Sequence, residues 1–278
     1  MADIDKLYHK VDGALRLLRC IPSDDIEVCY SGGKDSDVIL RLAQMAGISF
    51  TAIYKNTTID PAGTIQHCKE NGVQILQPQK TFFRLIESKG FPTRRCRFCC
   101  DELKEYKIKD FAIQGIRREE SVKRAALYKE PIICRLYGSK KNHVNVILPI
   151  LEWTDDEIAA FVTMEHIKLH PLYYREDGTL DVTRRLGCMG CPLKADNGLA
   201  EFKANPKLVK QWIKHGLVWW NKERKKPMRA QLKFANIYEV FAHNIFYDSY
   251  EAFKAAKYGM FGTEDYKQLL CDYFKIDL

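Results

Sequence analysis

The sequence predicts an α/β fold, in which a parallel β-sheet carries helices on both faces and a helical region follows. Short apolar runs alternate with amphipathic stretches between residues 4 and 164, and strands joined by helical crossovers pair in parallel. The apolar run Ile26–Tyr30 passes directly into a loop with two glycines. After Lys194 the chain has helical, aromatic and basic patterns without a strand-like run. We therefore expect an α/β domain at residues 1–193 and a helical, basic and aromatic C-terminal region at residues 194–278.

Each element follows from the spacing of its apolar residues. Apolar side chains at helical spacing predict an amphipathic helix over residues 4–20, which ends before Pro22. Further helices are predicted over residues 37–46, 65–71, 101–111 and 155–164, the last with Thr154 as its N-cap. Strands are predicted over residues 26–30, 50–54, 73–76, 132–137 and 144–148.

The bulk composition is that of an ordinary globular chain, with 46% hydrophobic and 29% charged residues. No run of about 18 apolar residues is present, so no transmembrane helix is expected. The start of the chain is polar and lacks an apolar signal core, which favours a cytoplasmic protein. The net charge of +8 is clustered, notably at residues 94–97, 117–124 and 222–229. Such clusters are either solvated helix faces or sites for an anionic partner, a nucleotide or a nucleic acid.

Nine of the ten cysteines fall into two classes, and the tenth, Cys271, lies near the C-terminal end of the sequence. Four are scattered in apolar surroundings and are expected in the core: Cys20, Cys29, Cys68 and Cys134. Five are clustered, and in a reducing compartment clustered cysteines indicate metal or redox chemistry rather than disulfides. These five are Cys96, Cys99, Cys100, Cys188 and Cys191.

The loop after the first strand has the features of a phosphate-binding site. Its residues are Ser31, Gly32, Gly33, Lys34, Asp35 and Ser36. Glycines let backbone N–H groups approach a phosphate, and the following helix directs its positive end to the same place. Lys34 adds a positive charge, and the hydroxyls of Ser31 and Ser36 are hydrogen-bond donors. The Walker A spacing is absent, so this is a different phosphate loop.

This loop resembles the PP-loop signature of ATP pyrophosphatases and of the phosphoadenosine phosphosulfate reductase family. Gly115–Ser121 with Arg124 is similar to that family's Gly-x-Arg-x-x-Glu-Ser-x-x-Arg block, and Pro149–Ile158 is similar to its Pro-Ile-x-x-Trp block. The resemblance covers about residues 25–195 and implies a Rossmann-like sheet of the HUP type. It also implies that an adenine nucleotide binds at residues 31–36, with Lys34 and Asp35 as catalytic residues and Mg²⁺ accompanying the nucleotide.

Arginines of the second block complete the expected nucleotide site. Arg117 and Arg118 offer planar donors that suit phosphate or sulfate oxygens. We expect both of them to bind the nucleotide, whereas the alternative for these residues is a solvated basic helix face. Trp153 is expected in the core, and Asp155 is read as the start of a helix.

The clustered cysteines indicate a metal centre. The Cys188-Met189-Gly190-Cys191 spacing places two thiolates on one metal, and the 96–100 segment offers three more sulfurs. Spacing alone leaves zinc and a [4Fe–4S] cluster open. The resemblance extends to the Cys-Cys and Cys-x-x-Cys pattern of cluster-bearing adenylyl-sulfate reductases. It implies a [4Fe–4S] cluster on Cys99, Cys100, Cys188 and Cys191, with Cys96 as an alternative ligand and zinc as the alternative metal.

Three functions compete. The first is an ATP pyrophosphatase that activates a substrate, such as a nucleic acid, for sulfur transfer, with a cysteine desulfurase as a sulfur donor. The second is an adenylyl-sulfate or phosphoadenylyl-sulfate reductase served by a thioredoxin-like donor. The third is a non-catalytic nucleotide-binding or nucleic-acid-binding module. The Glu-Cys-Gly-x-His segment of assimilatory reductases does not occur in this sequence, and Cys271 lacks that context, so the first is preferred. The intact Lys34, Asp35 and Ser36 argue against the third.

Overall fold

A computed structural model describes residues 4–137, 142–223, 225–259, 262 and 265–278. The chain divides into two compact units, each built from segments that are distant in sequence. The first unit comprises Met1–Asn56, Asp60–Pro78 and Leu103–Gly187. The second comprises Thr57–Ile59, Gln79–Glu102 and Cys188–Leu278. The expected domains at residues 1–193 and 194–278 remain a prediction.

The first unit holds a six-stranded sheet in the order β3-β2-β1-β4-β6-β5. The strands are β1 (Ile26–Tyr30), β2 (Thr51–Lys55), β3 (Gln74–Leu76), β4 (Phe111–Ile113), β5 (Ile132–Leu136) and β6 (His143–Ile147). All neighbouring strands are parallel except β5, which pairs antiparallel to β6 at the edge. The chain moves from β1 outward to β3 and then returns to β4 on the other side of β1. Ligands of open α/β sheets bind where the strand order reverses in this way, next to the carboxyl end of β1.

Helices account for most of the remaining regular structure in the part of the chain that is described. They are α1 (Ile4–Arg19), α2 (Lys34–Ala46), α3 (Thr64–Glu70), α4 (Phe82–Lys89), α5 (Phe98–Leu103), α6 (Val122–Leu127), α7 (Asp155–Met164), α8 (Leu199–Ala204), α9 (Pro206–Trp220), α10 (Ile237–Phe246), α11 (Tyr250–Tyr258) and α12 (Tyr266–Phe274). Together with the sheet they confirm the predicted α/β class and its Rossmann-like arrangement. No helix among the described residues is long and apolar enough to cross a bilayer.

The core of the first unit lies between one face of the sheet and three helices. Val28 of β1, Ile39 and Leu42 of α2 and Phe161 of α7 have no exposed surface and belong to one apolar cluster. Trp153 joins this cluster and is 2% exposed, as the sequence predicts. Each such side chain contributes roughly 1.5–3 kcal/mol to folding. This packing fixes α2, and with it the loop that precedes the helix.

One helix of the sequence prediction is wrong. The helix expected over residues 101–111 ends at Leu103, and Phe111–Ile113 is the central strand β4. The apolar run before Gly115 is only a few residues long, and its alternation is too short to separate a strand from a helix end. Neighbours on both sides, β1 and β6, supply the hydrogen bonds that make it a strand.

The scattered cysteines are only partly in the core. Cys68 is buried and Cys29 is half-buried, but Cys20 and Cys134 are exposed. Cys20 follows the end of α1, and Cys134 lies on the edge strand β5. The core prediction for these two residues is therefore wrong, because apolar neighbours in sequence do not fix which face a residue occupies.

Aromatic rings fill the core of the second unit. Trp212 of α9 packs against Phe202 with a ring-centre distance of 5.3 Å and against Phe82 at 5.2 Å. Phe241 of α10 lies 5.4 Å from Phe202. These rings are buried, so they serve packing and are not free to stack on a ligand.

Candidate functional site

The phosphate loop is a tight turn between β1 and α2. Gly32 has a φ of 77°, in the region that favours glycine, and a Cβ there would meet Thr64 Cγ2 at 3.0 Å. A Cβ at Gly115, just after β4, would lie 2.8 Å from the carbonyl oxygen of Asp35. The loop is therefore enclosed by α3 on one side and by the end of β4 on the other.

Two serines hold the shape of the loop. Ser36 Oγ donates a hydrogen bond to the carbonyl oxygen of Gly33 at 2.6 Å. Ser31 Oγ donates to Ser36 Oγ at 3.3 Å and accepts from the backbone N–H of Gly33 at 3.4 Å. Both hydroxyls therefore form hydrogen bonds within the loop.

Lys34 is buried at the start of α2 and is 4% exposed. Its Nζ lies 3.2 Å from Asp35 Oδ2 and 3.7 Å from Asp155 Oδ1. Carboxylate partners compensate for the water that a buried ammonium group loses. The side chain expected to meet phosphate is thus held between two acidic residues.

Arg117 is buried and directs its guanidinium at the same carboxylates. Its Nε donates to Asp35 Oδ1 at 2.7 Å, and its Nη2 donates to Asp155 Oδ1 at 2.6 Å. Its Nη1 donates to Glu119 Oε2 and to the carbonyl oxygen of Trp153, both at 3.1 Å. Burial lowers the pKa of Arg117, but the charges of Asp35 and Asp155 outweigh it, so the net pKa is raised. Arg117 therefore bonds to protein acceptors and orients Asp35.

Arg118 is engaged in a different way. Its Nε donates to the carbonyl oxygen of Tyr128 at 2.8 Å, and its other nitrogens contact the Glu152 carboxylate and the carbonyl oxygen of Lys129. These contacts hold the segment that follows α6. The direct role of Arg117 and Arg118 in nucleotide binding stays a prediction, and the structure brings only Arg117 to the loop.

Asp155 and Tyr173 also lie at the loop, and the sequence analysis predicted neither of them as a site residue. Asp155 is the first residue of α7, whose N-cap is Thr154 as predicted. Tyr173 is 3% exposed, and its hydroxyl would lie 3.2 Å from a Cβ on Gly33. Burial raises the pKa of Tyr173 to about 12, whereas backbone hydrogen bonds from Lys34 and Leu186 act in the opposite direction. For Tyr173, the sequence offered one signal, namely a polar aromatic residue within a loop that contains proline.

A second pair of arginines meets at Glu120. Arg124 forms an ion pair with the Glu120 carboxylate, and Arg185 Nη2 donates to the Glu120 carbonyl oxygen at 2.7 Å. Burial, followed by the like charge of Arg185, lowers the pKa of Arg124. Two guanidinium groups therefore lie close together, and the Arg124 side chain is 39% exposed.

A buried polar cluster lies within the fold beneath the loop. Asp37 of α2 accepts a hydrogen bond from the Tyr30 hydroxyl, and His67 Nε2 lies 3.0 Å from both of its carboxylate oxygens. His170 packs edge-on against His67 at 5.8 Å. Burial raises the pKa of Asp37, although its hydrogen bonds with His67 and Tyr30 oppose that rise. This cluster fixes the first turn of α2.

The cysteine group lies in the second unit. The side chains of Cys99 and Cys100 are hydrogen-bonded to each other. That hydrogen bond, burial and the charges of Cys100, Cys188 and Cys191 raise the pKa of Cys99. The four predicted ligands therefore share one neighbourhood. Cys96, by contrast, is exposed.

The turn that carries Cys188 and Cys191 is held by tight packing. Cys188 Sγ donates to Thr57 Oγ1 at 3.6 Å, and the N–H of Met189 donates to the carbonyl oxygen of Ile59 at 2.9 Å. Gly190 has a φ of 69°, and a Cβ there would lie 2.5 Å from the Phe202 ring. Only glycine fits at position 190 of this turn.

The donor set fits a thiolate-bound metal or cluster by its chemistry, since four sulfurs are the ligand set of zinc and of [4Fe–4S] sites. Among the described residues, however, no group of three or more His, Cys, Asp or Glu side chains is arranged so that it could hold a metal ion directly.

Comparison with known proteins assigns the family. A model of the phosphoadenosine phosphosulfate reductase domain matches residues 25–194. An uncharacterized protein of Methanocaldococcus jannaschii is 28% identical over 202 residues, which cover 68% of this chain and 46% of that protein. The chain spans less than half the length of the curated relatives it matches.

Solved structures give more distant similarities. The phosphoadenylyl-sulfate reductase of Candida auris, in a phosphate complex, is 13% identical with a TM-score of 0.47, covering 68% of this chain and 96% of that chain. The U34-tRNA thiolase NcsA of Methanococcus maripaludis, with its [4Fe–4S] cluster, is 17% identical with a TM-score of 0.37, covering 81% of this chain and 83% of that chain. The family model matches more than half of the chain, including the loop and both cysteine segments. The chain therefore belongs to the phosphoadenosine phosphosulfate reductase family.

Proposed function

We propose that this protein is an ATP pyrophosphatase of the PP-loop type, which joins AMP to an acceptor oxygen so that sulfur can replace that oxygen. One observation carries the proposal. Lys34 and Asp35 are fixed by Arg117 and Asp155 at the carboxyl end of β1, the position where an open α/β sheet binds its ligand. A network fixed in this way favours binding and orientation of a charged nucleotide.

In this reaction the acceptor oxygen attacks the α-phosphorus of ATP, and pyrophosphate leaves with the electrons of the broken bond. Backbone N–H groups at the start of α2 bind the leaving phosphates. Lys34 neutralises negative charge that develops on the leaving oxygen. Arg117 is a positioning residue, because its donors hold Asp35 and Asp155 instead of phosphate.

The same carboxylates suit the Mg²⁺ that accompanies a nucleoside triphosphate. Mg²⁺ is commonly bound by one or two carboxylates together with substrate phosphates. The Asp35 and Asp155 side chains are 17% and 39% exposed, so both can be reached from solvent. We propose that they bind the metal carried by ATP.

We propose a [4Fe–4S] cluster on Cys99, Cys100, Cys188 and Cys191, with zinc as the alternative. The shared neighbourhood of the four thiols supports this set over one that includes the exposed Cys96. A bound cluster supplies one-electron chemistry and a concentrated negative charge at this place.

A reductase is the second candidate, and Cys96 is the observation that favours it. Reduction of a sulfonucleotide needs an accessible thiolate to attack sulfur. Cys96 is exposed and has Arg94, Arg95 and Arg97 as neighbours in sequence. Cys271 is less suited, since it is half-buried within α12.

Two assays separate these functions. One follows pyrophosphate release from ATP with RNA or DNA acceptors, and the other follows sulfite release from adenylyl sulfate and its 3′-phosphorylated form with thioredoxin. We expect pyrophosphate release, and we expect Lys34→Ala to weaken ATP binding by about 1.5–3 kcal/mol, roughly 10- to 150-fold. Lys80→Ala, an exposed lysine, is the control. Sulfite release that is lost in Cys96→Ser would establish the reductase instead.

A further inference from the structure

The excess of positive over negative charge in this protein comes from one segment of the second unit. Residues 203–233 contain ten basic residues and a single acidic residue, Glu223. The remainder of the chain has 34 basic and 35 acidic residues. The segment therefore accounts for the whole net charge of +8. Arg224 lies within it but outside the residues that the structure describes.

Helix α9 turns part of this segment into an ordered stripe. Lys207, Lys210 and Lys214 recur at steps of three and four residues, so they share one face of the helix. All three are exposed, and α9 contains no acidic residue. From Lys207 to Lys214 the stripe is about 10.5 Å long, which corresponds to roughly three phosphates along one strand of a nucleic acid.

The opposite face of α9 is buried in the core of the second unit. Its buried residues include Val209, Trp212 and Ile213, and the helix packs against α4. The lysine stripe thus lies on a helix whose opposite face is anchored in the core of the second unit.

The lysines of the stripe and the basic residues at 225–229 have no carboxylate partner among the residues that the structure describes. None of Lys207, Lys210, Lys214, Lys225, Lys226 and Arg229 forms an ion pair with any residue in the described part of the chain. This contrasts with basic residues elsewhere, such as Arg41 and Lys168, which pair with Glu165 and Glu70. Unpaired, clustered cations lower the stability of the folded chain by mutual repulsion, so their concentration here indicates an external polyanion.

We infer that the lysine stripe of α9 and the basic residues at 225–229 bind the phosphate backbone of a nucleic acid. Contacts with phosphates are independent of base sequence, and they position the strand rather than select it. The half-buried Trp220 at the end of α9 adds an aromatic surface beside the basic residues, suited to stacking on an unpaired base. The inference deepens the proposed function by naming the class of acceptor, and it rests on that function for its catalytic meaning.

The test measures binding without ATP, so that it is independent of turnover. Fluorescence anisotropy of the full chain is recorded with an RNA hairpin, a DNA duplex and a DNA single strand of equal length, each across a series of salt concentrations. We expect at least one of these to bind with an affinity that falls steeply as salt increases. The strongest binder identifies RNA or DNA as the source of the phosphates.

Two triple variants with the same change in net charge provide the decisive comparison. Lys207→Glu, Lys210→Glu and Lys214→Glu together should weaken binding at least tenfold and lower the salt slope by about 3. Lys69→Glu, Lys80→Glu and Lys254→Glu together, at exposed positions outside the segment, should have little effect. Circular dichroism verifies that both variants are folded.

Three outcomes would overturn the inference: no binding of any nucleic acid at low salt, an equal loss in both variants, or tight binding to vesicles containing phosphatidylserine with none to nucleic acid. Failure of the proposed function gives a different pattern, in which nucleic acid binds at the stripe but no pyrophosphate is released.

Discussion

The loop site and the cysteine group handle charge in opposite ways. At the loop, Lys34 and Arg117 lie against Asp35 and Asp155, so opposite charges stabilise one another and the pKa of Arg117 is raised. In the cysteine group, the hydrogen bond with Cys100 and burial, together with the like charges of the neighbouring cysteines, raise the pKa of Cys99 and favour its protonated thiol. The charges of the loop site are thus paired in the absence of a ligand. The cysteine group gains stability as thiolates only when a cation joins it.

The largest effect is expected in the cysteine group. Cys188→Ser removes one of four proposed ligands and should abolish the cluster, whereas Cys96→Ser should retain it. The measurements are iron, sulfide and zinc content with an absorbance spectrum after anaerobic purification. Stoichiometric zinc without iron would show that the metal is wrong, and loss of the cluster in Cys96→Ser would show that the ligand set is wrong.

The same site makes metal uptake dependent on pH. Since the pKa of Cys99 is raised, its thiol is protonated near neutral pH and a binding metal must displace that proton. Uptake by the apo protein should therefore strengthen as pH rises and weaken as it falls.

Arg117→Ala should have the next largest effect. It leaves Asp35 and Asp155 beside a cavity without their main cation, which costs about 3 kcal/mol, at the low end for a buried pair because Asp155 is partly exposed. For a chain of this size, the melting temperature would fall by roughly 5 °C. Arg229→Ala, an exposed arginine without an ion pair among the described residues, is the matched control. Equal melting temperatures for the two variants would contradict the description of the loop site.

Tyr173→Phe should have the smallest effect. It removes the hydroxyl that accepts the N–H of Leu186 at 3.4 Å and a backbone hydrogen bond from Lys34. Because the ring remains, the expected loss of unfolding free energy is about 1 kcal/mol. Chemical denaturation measures that loss. A variant as stable as the original protein would show that these hydrogen bonds contribute nothing.

Local patterns in the sequence predicted where the loop lies between its strand and its helix. They did not predict the ion pairs that surround the loop. The six loop residues are contiguous, and they lie between a strand and a helix whose apolar patterns are clear. The contacts of Arg117 with Asp35 and Asp155 span 82 and 38 residues of sequence. Asp155 therefore resembles an ordinary helix start until the fold is known.

The cysteines likewise show that local sequence does not reveal contacts between distant segments. The short spacing of Cys99-Cys100 and of Cys188 with Cys191 predicts pairs, but only the fold brings the two pairs into one neighbourhood. Cys20 and Cys134 have apolar neighbours in sequence and are nevertheless exposed. Burial depends on the partner elements, which local sequence does not specify.

Gly115 limits how large a side chain can be at the end of β4. Its missing side chain leaves the carbonyl oxygen of Asp35 at a distance where even a methyl group would overlap it. The end of β4 thus acts as a spacer that fixes how far the loop lies from the sheet. Any larger residue at this position would displace the loop by several tenths of an ångström and would change the distances between Asp35 and its partners Lys34 and Arg117.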